Sequence, residues 1–336
     1  MTITYIVYTI YEMNLSTKYF NIIDKILPVG GIIRNLPYVM VFKTTNWCWY
    51  KCAHCCENSG PNQPHEYIPA SVIKNYISQA IQDKNFTNEV VFTGGEIMSA
   101  YTFGDENYVR ELLSFCGQNN IGTDIKTNAA WTNTKLATKI YDDLIDIIKQ
   151  NRPYQFQISL SLDQFHPNSM QNCARFISKM ACRPNVHAVI HISSFDTDRQ
   201  MYAQLKSNLK HNGIRVDAAV IQQGNREIPV DIAQDKLILL PSTAELNRTG
   251  RAKNMPDAKP AKYPQFKILS SGHCVLMAFD SFGRVTLGEN ADKKINAKWR
   301  TTNGMTRPLW MVRRDLIKNA HAQEMYAKIF TNWKIK

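Results

Sequence analysis

The amino-acid sequence predicts an α/β protein built on a partial (β/α)6 barrel. Short runs rich in β-branched and aromatic residues alternate with longer segments of helical periodicity, which is typical of parallel strands joined by helical crossovers. The six predicted strands are Tyr38–Lys43, Glu89–Phe92, Gly122–Lys126, Gln155–Ser161, Val186–Ser193 and Arg215–Ile221. In barrels of this type the active site lies beyond the carboxyl ends of the strands.

The predicted helices lie between these strands. The segment Ile68–Gln82 has Pro69 near its start, a favourable position for proline, and its apolar residues recur on one stripe. Asn107–Gly117 and Lys135–Lys149 have a similar periodicity. These helices complete the crossovers that a parallel sheet requires.

Composition and breaker residues suggest three parts of the chain. Residues 1–37 form an N-terminal extension, residues 38–255 the barrel, and residues 256–336 a C-terminal extension that opens with a linker rich in proline and lysine. Within that extension we predict a small β-hairpin, Cys274–Leu287, and a final helix, Thr306–Trp333.

The composition excludes some classes of protein. Of 336 residues, 44% are hydrophobic, which is enough for a large core. No segment approaches the ~20 consecutive apolar residues that span a bilayer, and no targeting segment is evident, so we expect a cytoplasmic protein without a membrane partner. The net charge of +12 is compatible with an acidic or phosphorylated ligand or with scattered surface charge. No nucleic-acid-binding module is recognisable.

Four of the eight cysteines lie within nine residues, and three of them form a C-x3-C-x2-C run, Cys48, Cys52 and Cys55. Three thiolates can hold three irons of a [4Fe–4S] cluster and leave the fourth iron open. Zinc is the competing metal, with Cys56 and His54 as further ligands, but structural zinc sites usually combine two separated pairs of ligands. Buried cysteines without a metal are the third interpretation.

The cysteine run follows the first strand, and Gly94-Gly95-Glu96 follows the second. Together these motifs resemble the radical S-adenosylmethionine (SAM) superfamily, over about residues 38–252. The resemblance implies a TIM-like partial barrel, one [4Fe–4S] cluster and SAM as cofactors. It also implies reductive cleavage of SAM to a 5′-deoxyadenosyl radical, which abstracts a hydrogen atom from the substrate. An external electron donor of the flavodoxin or ferredoxin type would then be a partner.

The resemblance also implies residues that bind SAM. Gly94, Gly95 and Glu96 would accept hydrogen bonds from its ammonium, and His54 stands where the family usually has an aromatic residue near the adenine. Later strand ends supply further candidates for cofactor binding: Asn128, Ser161, Asp163 and Ser193. Capping of helices is the alternative role for Ser161 and Asp163.

Several features are similar to bacterial enzymes that modify ribosomally made peptides, with peptide epimerases as the nearest comparison. They are the loop that follows Cys52, the turn from Ser161 to Pro167, and the stretch Gly250-Arg-Ala252. A peptide substrate is therefore the first prediction. A radical SAM enzyme acting on a small molecule or nucleotide is the second, and a non-catalytic iron–sulfur protein the third.

Many such enzymes carry a second cluster on cysteines that follow the C-terminal hairpin, and this chain lacks those cysteines. We therefore predict one cluster. Cys274 is then a candidate for the thiol that returns a hydrogen atom to the substrate radical, and Cys56 is a second candidate. A buried hairpin cysteine is the alternative role for Cys274.

Overall fold

The computed structural model describes residues 37–195, 199–223, 226–244, 250–255, 266–269, 272–287 and 297–318. The strands within these residues are β1 (Tyr38–Thr45), β2 (Phe86–Gly94), β3 (Gly122–Thr127), β4 (Phe156–Ser161), β5 (Ala188–Phe195), β6 (Val216–Gln223), β7 (Arg226–Ala233), β8 (Leu237–Ala244), β9 (Phe266–Leu269), β10 (Gly272–Asp280), β11 (Arg284–Leu287) and β12 (Ala297–Lys298). They form one sheet in the order β12-β11-β10-β1-β2-β3-β4-β5-β8-β7-β6, and β9 pairs with β10.

The α-helices that the structure describes lie between and after these strands. They are α1 (Ala70–Ile81), α2 (Ala100–Phe103), α3 (Tyr108–Gln118), α4 (Ala137–Gln150), α5 (Ser169–Ala181), α6 (Arg199–His211) and α7 (Leu309–Lys318). None of the described helices is long and apolar enough to cross a bilayer.

The centre of the sheet is parallel, from β10 through β1–β5 to β8. This confirms the predicted mixed α/β fold, which is consistent with a partial TIM-like barrel. The central strands are buried on both faces: Met40 and Phe42 of β1 pack in the large core with the helices, whereas Val39 and Val41 pack in a smaller cluster. Burial on both faces explains why β1 begins with a continuous apolar run, Tyr38–Phe42.

The predicted sixth strand was wrong in its placement. Residues 216–223 do form a strand, β6, but it lies at the edge of the sheet and pairs antiparallel with β7. The place beside β5 belongs to β8, which runs parallel to it. Only two residues separate β6 from β7, and a parallel crossover needs a dozen or more. Pro229 in β7 and Pro241 in β8 weakened the strand signal of both segments.

The C-terminal part of the chain joins the same sheet. The predicted hairpin is confirmed, because β10 pairs antiparallel with β11 through the turn at residues 281–283. β10 also pairs parallel with β1, so this part of the predicted extension continues the barrel sheet. Of the predicted final helix, α7 lies within the described residues, and residues 319–333 lie outside them, as do residues 1–36 and most of the linker.

Candidate functional site

The cysteine run lies in a loop between β1 and α1, here called the cysteine loop (residues 46–60). Its base is closed by a bridge between Trp47 and Gly60, in which the Cys48 N–H donates to the Gly60 carbonyl oxygen at 3.3 Å. The Ser59 hydroxyl donates to the Asn46 side chain at 2.9 Å. These contacts hold the loop closed at its base, directly above the carboxyl end of β1.

A cavity of about 220 Å³ lies at the carboxyl ends of β1–β4, and the thiols of Cys48, Cys52 and Cys55 line it together. All three are free thiols; Cys48 and Cys52 are buried and Cys55 is half-buried. The Asn128 side-chain amide donates to the Cys48 sulfur at 3.3 Å, and Ser161 contributes to the same lining. The three sulfur donors, all on one loop, fit the set that a [4Fe–4S] cluster requires.

Burial raises the pKa of the Cys48 thiol to about 12, and the nearby Glu96 carboxylate adds to the effect. A bound metal reverses this preference because it coordinates the thiolate. A cluster bound at Cys48 would therefore displace the thiol proton.

Gly94 and Gly95, predicted to bind SAM, line the cavity, and the structure gives a further reason for glycine at both positions. Gly94 has a φ of +119°, and a Cβ on Gly95 would lie 1.8 Å from the carbonyl oxygen of Trp47. The Gly95 N–H donates to the Thr45 carbonyl oxygen at 2.7 Å. The glycines therefore allow the end of β2 to approach the end of β1, and this contact positions the cysteine loop.

Glu96 lies behind the cavity wall, outside its lining. Its fully buried carboxylate accepts hydrogen bonds from the Thr127 hydroxyl at 2.9 Å and the Asn128 N–H at 3.0 Å. Burial raises the pKa of Glu96 to about 7, and these hydrogen bonds limit the increase. The carboxylate thus connects the end of β2 to the end of β3 and orients Asn128 toward Cys48.

His54 contacts three aromatic rings near Cys55: Phe165, His166 and Phe195, at centroid distances of 4.8, 4.7 and 5.5 Å. Its Nδ1 atom is buried and, among the described residues, has no hydrogen-bond partner. Burial and the neighbouring His166 lower the pKa of His54 to about 4. A neutral ring with an unpaired buried nitrogen at the cavity suits a bound ligand.

Asp163 does not line the cavity. Its carboxylate accepts hydrogen bonds from the His166 ring at 2.7 Å and from the Phe165 N–H at 2.8 Å. Burial opposes the charge of both groups, but the hydrogen bond and the attraction between them outweigh it. The pKa of Asp163 is therefore lowered, and the pKa of His166 is raised to about 10. Asp163 thus holds His166, which does line the cavity.

The zinc alternative has one observation in its favour. Ligand atoms of Cys52, His54 and His166 lie within 4.8 Å of one another. That set is one ligand short of a structural zinc site, and the His166 ring is already bound to Asp163. It would also leave Cys48 and Cys55 unused beside it. The three-cysteine set therefore fits the cavity better.

The stretch that follows β8 contacts the cysteine loop. The Arg251 N–H donates to the Cys55 carbonyl oxygen at 2.9 Å, and its guanidinium donates to the carbonyl oxygens of Cys52 at 2.8 Å and Ser59 at 2.6 Å. Gly250 packs against the Cys56 backbone, where a Cβ would lie 2.3 Å from the carbonyl oxygen. These contacts account for the Gly-Arg-Ala stretch noted in the sequence.

Ser193 and Cys274 are the remaining predicted site residues. Ser193 is level with Ser161 on the neighbouring strand but is not part of the lining. Cys274 pairs with Lys267 near the amino end of β10, six residues before Asp280, which is level with Lys43 at the carboxyl end. At ~3.3 Å per residue this separation is roughly 20 Å. The side chain of Cys274 lies outside the described residues, so its role as a hydrogen donor stays a prediction.

Residue patterns alone missed one group of cavity residues. The half-buried Lys43 ammonium contacts the Glu57 carboxylate at 2.5 Å. Burial opposes the charge of Lys43, but the Glu57 carboxylate outweighs it and raises the lysine pKa. Tyr50 and Lys126 also line the cavity. The sequence offered one signal for these residues: they lie next to the cysteine run or at the end of a strand, where the active sites of such barrels are formed.

The parallel sheet, the three-cysteine loop and the two glycines at the end of β2 define a cluster-binding enzyme of the partial-barrel class. The model of the radical SAM superfamily matches residues 42–217, which is more than half of the chain. The chain therefore belongs to the radical SAM superfamily. The family uses a [4Fe–4S] cluster and SAM, and these are the cofactors of this protein.

The solved structures to which this chain is similar include SuiB of Streptococcus suis bound to S-adenosylmethionine, at 12% identity and a TM-score of 0.43, covering 88% of this chain and 68% of that one. SuiB bound to its precursor peptide SuiA is 13% identical, with a TM-score of 0.43 and coverages of 88% and 67%. Native anSMEcpe with bound AdoMet is 11% identical, with a TM-score of 0.47 and coverages of 89% and 84%. A comparison with curated proteins gave no match.

Proposed function

We propose that this radical SAM enzyme acts on a ribosomally made peptide, with epimerisation of one residue as the reaction. The observation that carries the proposal is the single cavity shared by the three thiols of the cysteine run and by the carboxyl ends of β2–β4. The Gly250-Arg-Ala252 stretch supports a peptide substrate, because it resembles one in peptide-modifying members and contacts the backbone of Cys55.

In this proposal Cys48, Cys52 and Cys55 hold the cluster. When bound, the reduced cluster supplies the electron that cleaves SAM to methionine and a 5′-deoxyadenosyl radical. The backbone of Gly94 and Gly95 accepts hydrogen bonds from the ammonium of SAM, as predicted.

Other side chains position SAM. Asn128 and Ser161 offer polar groups in the cavity lining to the rest of SAM, and His54 packs against its adenine with the ring nitrogen that is otherwise unpaired. Glu96 and Asp163 act one step further away, through Asn128 and His166.

An epimerase needs a second hydrogen atom, given to the opposite face of the substrate radical. Cys56 is the proposed donor, because it lines the cavity and is half-buried. Its S–H bond breaks to form the new C–H bond, and the external electron donor with a solvent proton restores the thiol. We expect the donor to be of the flavodoxin or ferredoxin type and the enzyme to work in the cytoplasm, where thiols stay reduced.

The test uses the reconstituted enzyme, SAM, a reductant and short peptides encoded beside its gene, in deuterated water. We expect 5′-deoxyadenosine and a peptide that gains one deuterium at an α-carbon. With the Cys56→Ala variant, 5′-deoxyadenosine should still form but the peptide should gain no deuterium. Cys182→Ala, at an exposed cysteine, should behave as wild type. Modification without deuterium uptake would contradict epimerisation.

A small molecule that carries a phosphate is the second candidate. It is favoured by the two lysines in the cavity lining, Lys43 and Lys126, of which Lys43 is paired with Glu57. The same assay with a mixture of nucleotides separates the candidates. Stimulation of 5′-deoxyadenosine formation by nucleotides but by none of the peptides would contradict the peptide proposal.

A further inference from the structure

The side-chain amide of Asn128 is held in one orientation beside the cysteine loop. The residue is only 6% exposed, and its Oδ1 atom accepts a hydrogen bond from the Ala130 N–H at 2.9 Å. This bond assigns the oxygen and nitrogen ends of the amide, which are otherwise alike in shape. The Nδ2 atom is then the one that donates to the Cys48 sulfur at 3.3 Å. A neutral N–H donor is thus directed at one of the three thiols.

The turn that carries Asn128 is held from outside the cysteine loop. The Asn128 N–H donates to the buried Glu96 carboxylate at 3.0 Å, and the Ala129 N–H donates to the Thr127 hydroxyl oxygen at 2.9 Å. Ala129 has a φ of +55°, a conformation that alanine keeps only where its surroundings impose it. These contacts belong to the ends of β2 and β3, so they do not depend on what the thiols bind.

Cys48 also accepts a hydrogen bond from the backbone N–H of Tyr50, at 3.5 Å. That donor belongs to the same loop, and any residue except proline at position 50 would supply it. Asn128 is different, because it lies 80 residues further along the chain and its donor is a side chain. The bond from Asn128 therefore depends on the identity of one residue.

A hydrogen bond to a sulfur ligand favours the cluster state that carries more negative charge. Reduction adds one electron to the cluster, and an N–H dipole directed at the thiolate stabilises that added charge. Hydrogen bonds to the sulfurs are accordingly among the determinants of cluster potentials. The Cys48 side chain is buried, where such dipoles act more strongly than in water. Loss of the donor should therefore make the cluster harder to reduce.

We propose that Asn128 raises the reduction potential of the cluster through its hydrogen bond to Cys48. The side-chain amide has two N–H groups, so the bond to the sulfur leaves one for SAM. The inference rests on Cys48 as a ligand of the cluster, as in the proposed function, and is independent of the substrate. It assigns Asn128 a positioning role toward the electron that cleaves SAM.

A redox titration of the reconstituted full-length protein, without SAM, measures this effect. Asn128→Leu keeps the approximate shape of the side chain, adds no charge and removes the donor. At the midpoint potential of wild type, the ratio of reduced to oxidised cluster should be about threefold to tenfold lower in the variant, as for loss of one hydrogen bond. At ~59 mV per tenfold change for one electron, the midpoint potential falls by about 30–60 mV. An unchanged midpoint would overturn the proposal.

Ala129→Gly is the matched control, because Asn128→Leu also removes the acceptor of the Ala130 N–H. Glycine adopts the left-handed conformation readily and is more flexible than alanine, so this variant loosens the turn but keeps the donor. We expect the midpoint potential of wild type. Equal falls in both variants would assign the effect to the turn and would overturn the role of the hydrogen bond.

A second measurement does not require the variant to bind a cluster. Wild type is labelled with 15N in the side-chain amides of asparagine only, reduced, and examined by pulsed EPR. A hydrogen bond to the Cys48 sulfur brings the Asn128 nitrogen close to the unpaired spin of the reduced cluster, so we expect a 15N coupling. The coupling should be absent from Asn128→Leu where that variant binds a cluster. Its absence from wild type would overturn the proposal.

Failure of this inference is distinguishable from failure of the proposed function. If the protein binds a four-iron cluster and cleaves SAM, but Asn128→Leu has the midpoint potential of wild type, the function stands and this inference fails. Weaker SAM binding by that variant at an unchanged potential would mean that the amide serves SAM alone, and it too would overturn the inference. If wild type binds no four-iron cluster, both fail.

Discussion

Arg251 lies outside both sequence motifs and yet contacts the cysteine loop at three carbonyl oxygens. Its guanidinium spans the loop from Cys52 to Ser59, on either side of Cys55. Such fork-shaped donors hold backbone more rigidly than the single ammonium of a lysine. We interpret Arg251 as a positioning residue that keeps the thiols ready for the cluster.

We predict that Arg251→Ala lowers the iron content of the reconstituted protein. The variant leaves two carbonyl oxygens without their charged donor, which costs about 2–3 kcal/mol in stability of the loaded loop. Iron and sulfide assays with visible absorption measure the effect, and Lys253→Ala, at an exposed lysine of the same turn, is the control. Full cluster loading in Arg251→Ala would contradict the positioning role.

At the residue scale the sequence indicates the three candidate sulfur donors but not the side chains that support them. The spacing of Cys48, Cys52 and Cys55 is local information, because one loop carries all three. The role of Glu96 is different: its partners Thr127 and Asn128 lie 31 and 32 residues away in the chain. These contacts depend on the pairing of β2 with β3, which a local sequence pattern does not predict.

At the scale of elements, the end of β2 packs directly against the end of β1. The N–H groups of Gly95 and Glu96 donate to the carbonyl oxygens of Thr45 and Trp47 at 2.7 and 2.8 Å. This close approach connects the two motifs physically, since Trp47 immediately precedes the first cluster cysteine. A side chain at Gly95 would have to separate the two strand ends.

We predict that Gly95→Ala destabilises the protein by about 3 kcal/mol, because its Cβ would overlap backbone rather than a mobile side chain. Denaturant unfolding of the metal-free protein measures the loss. Gly122→Ala in β3 is the matched control, because the nearest atom to its Cβ would lie 3.7 Å away. Equal stability of the two variants would show that the strand ends are not in close contact.

Strand existence was easier to predict than strand placement. Each of β1–β5 contains a run that was predicted as a parallel strand. β7 and β8 were missed because Pro229 and Pro241 interrupt their patterns, and β6 then took the place of β8. The ladder between β7 and β8 stops two residues before these prolines.

At the scale of the whole molecule, the C-terminal segment is attached to the helical layer by Tyr76. This fully buried side chain of α1 has its hydroxyl 3.1 Å from the carbonyl oxygen of Trp299 and 2.8 Å from that of Arg307. Both partners lie more than 220 residues further along the chain. Their pairing could not be predicted from local patterns.

We predict that Tyr76→Phe lowers the free energy of unfolding by about 1–2 kcal/mol, since buried carbonyl groups lose a donor while the ring is kept. Chemical denaturation followed by tryptophan fluorescence measures the change. Tyr154→Phe, at an exposed tyrosine, should change stability by less than about 0.5 kcal/mol. If the two variants are equally stable, Tyr76 does not anchor the C-terminal segment.

The most direct test of the central claim is the formation of 5′-deoxyadenosine from SAM by the anaerobically reconstituted, reduced protein. Wild type is compared with a variant in which Cys48, Cys52 and Cys55 are replaced by alanine, and Cys182→Ala is the control for loss of a thiol. We predict that wild type and Cys182→Ala form 5′-deoxyadenosine and that the triple variant binds no cluster and forms none. A fully loaded wild-type protein that neither binds nor cleaves SAM would contradict the account.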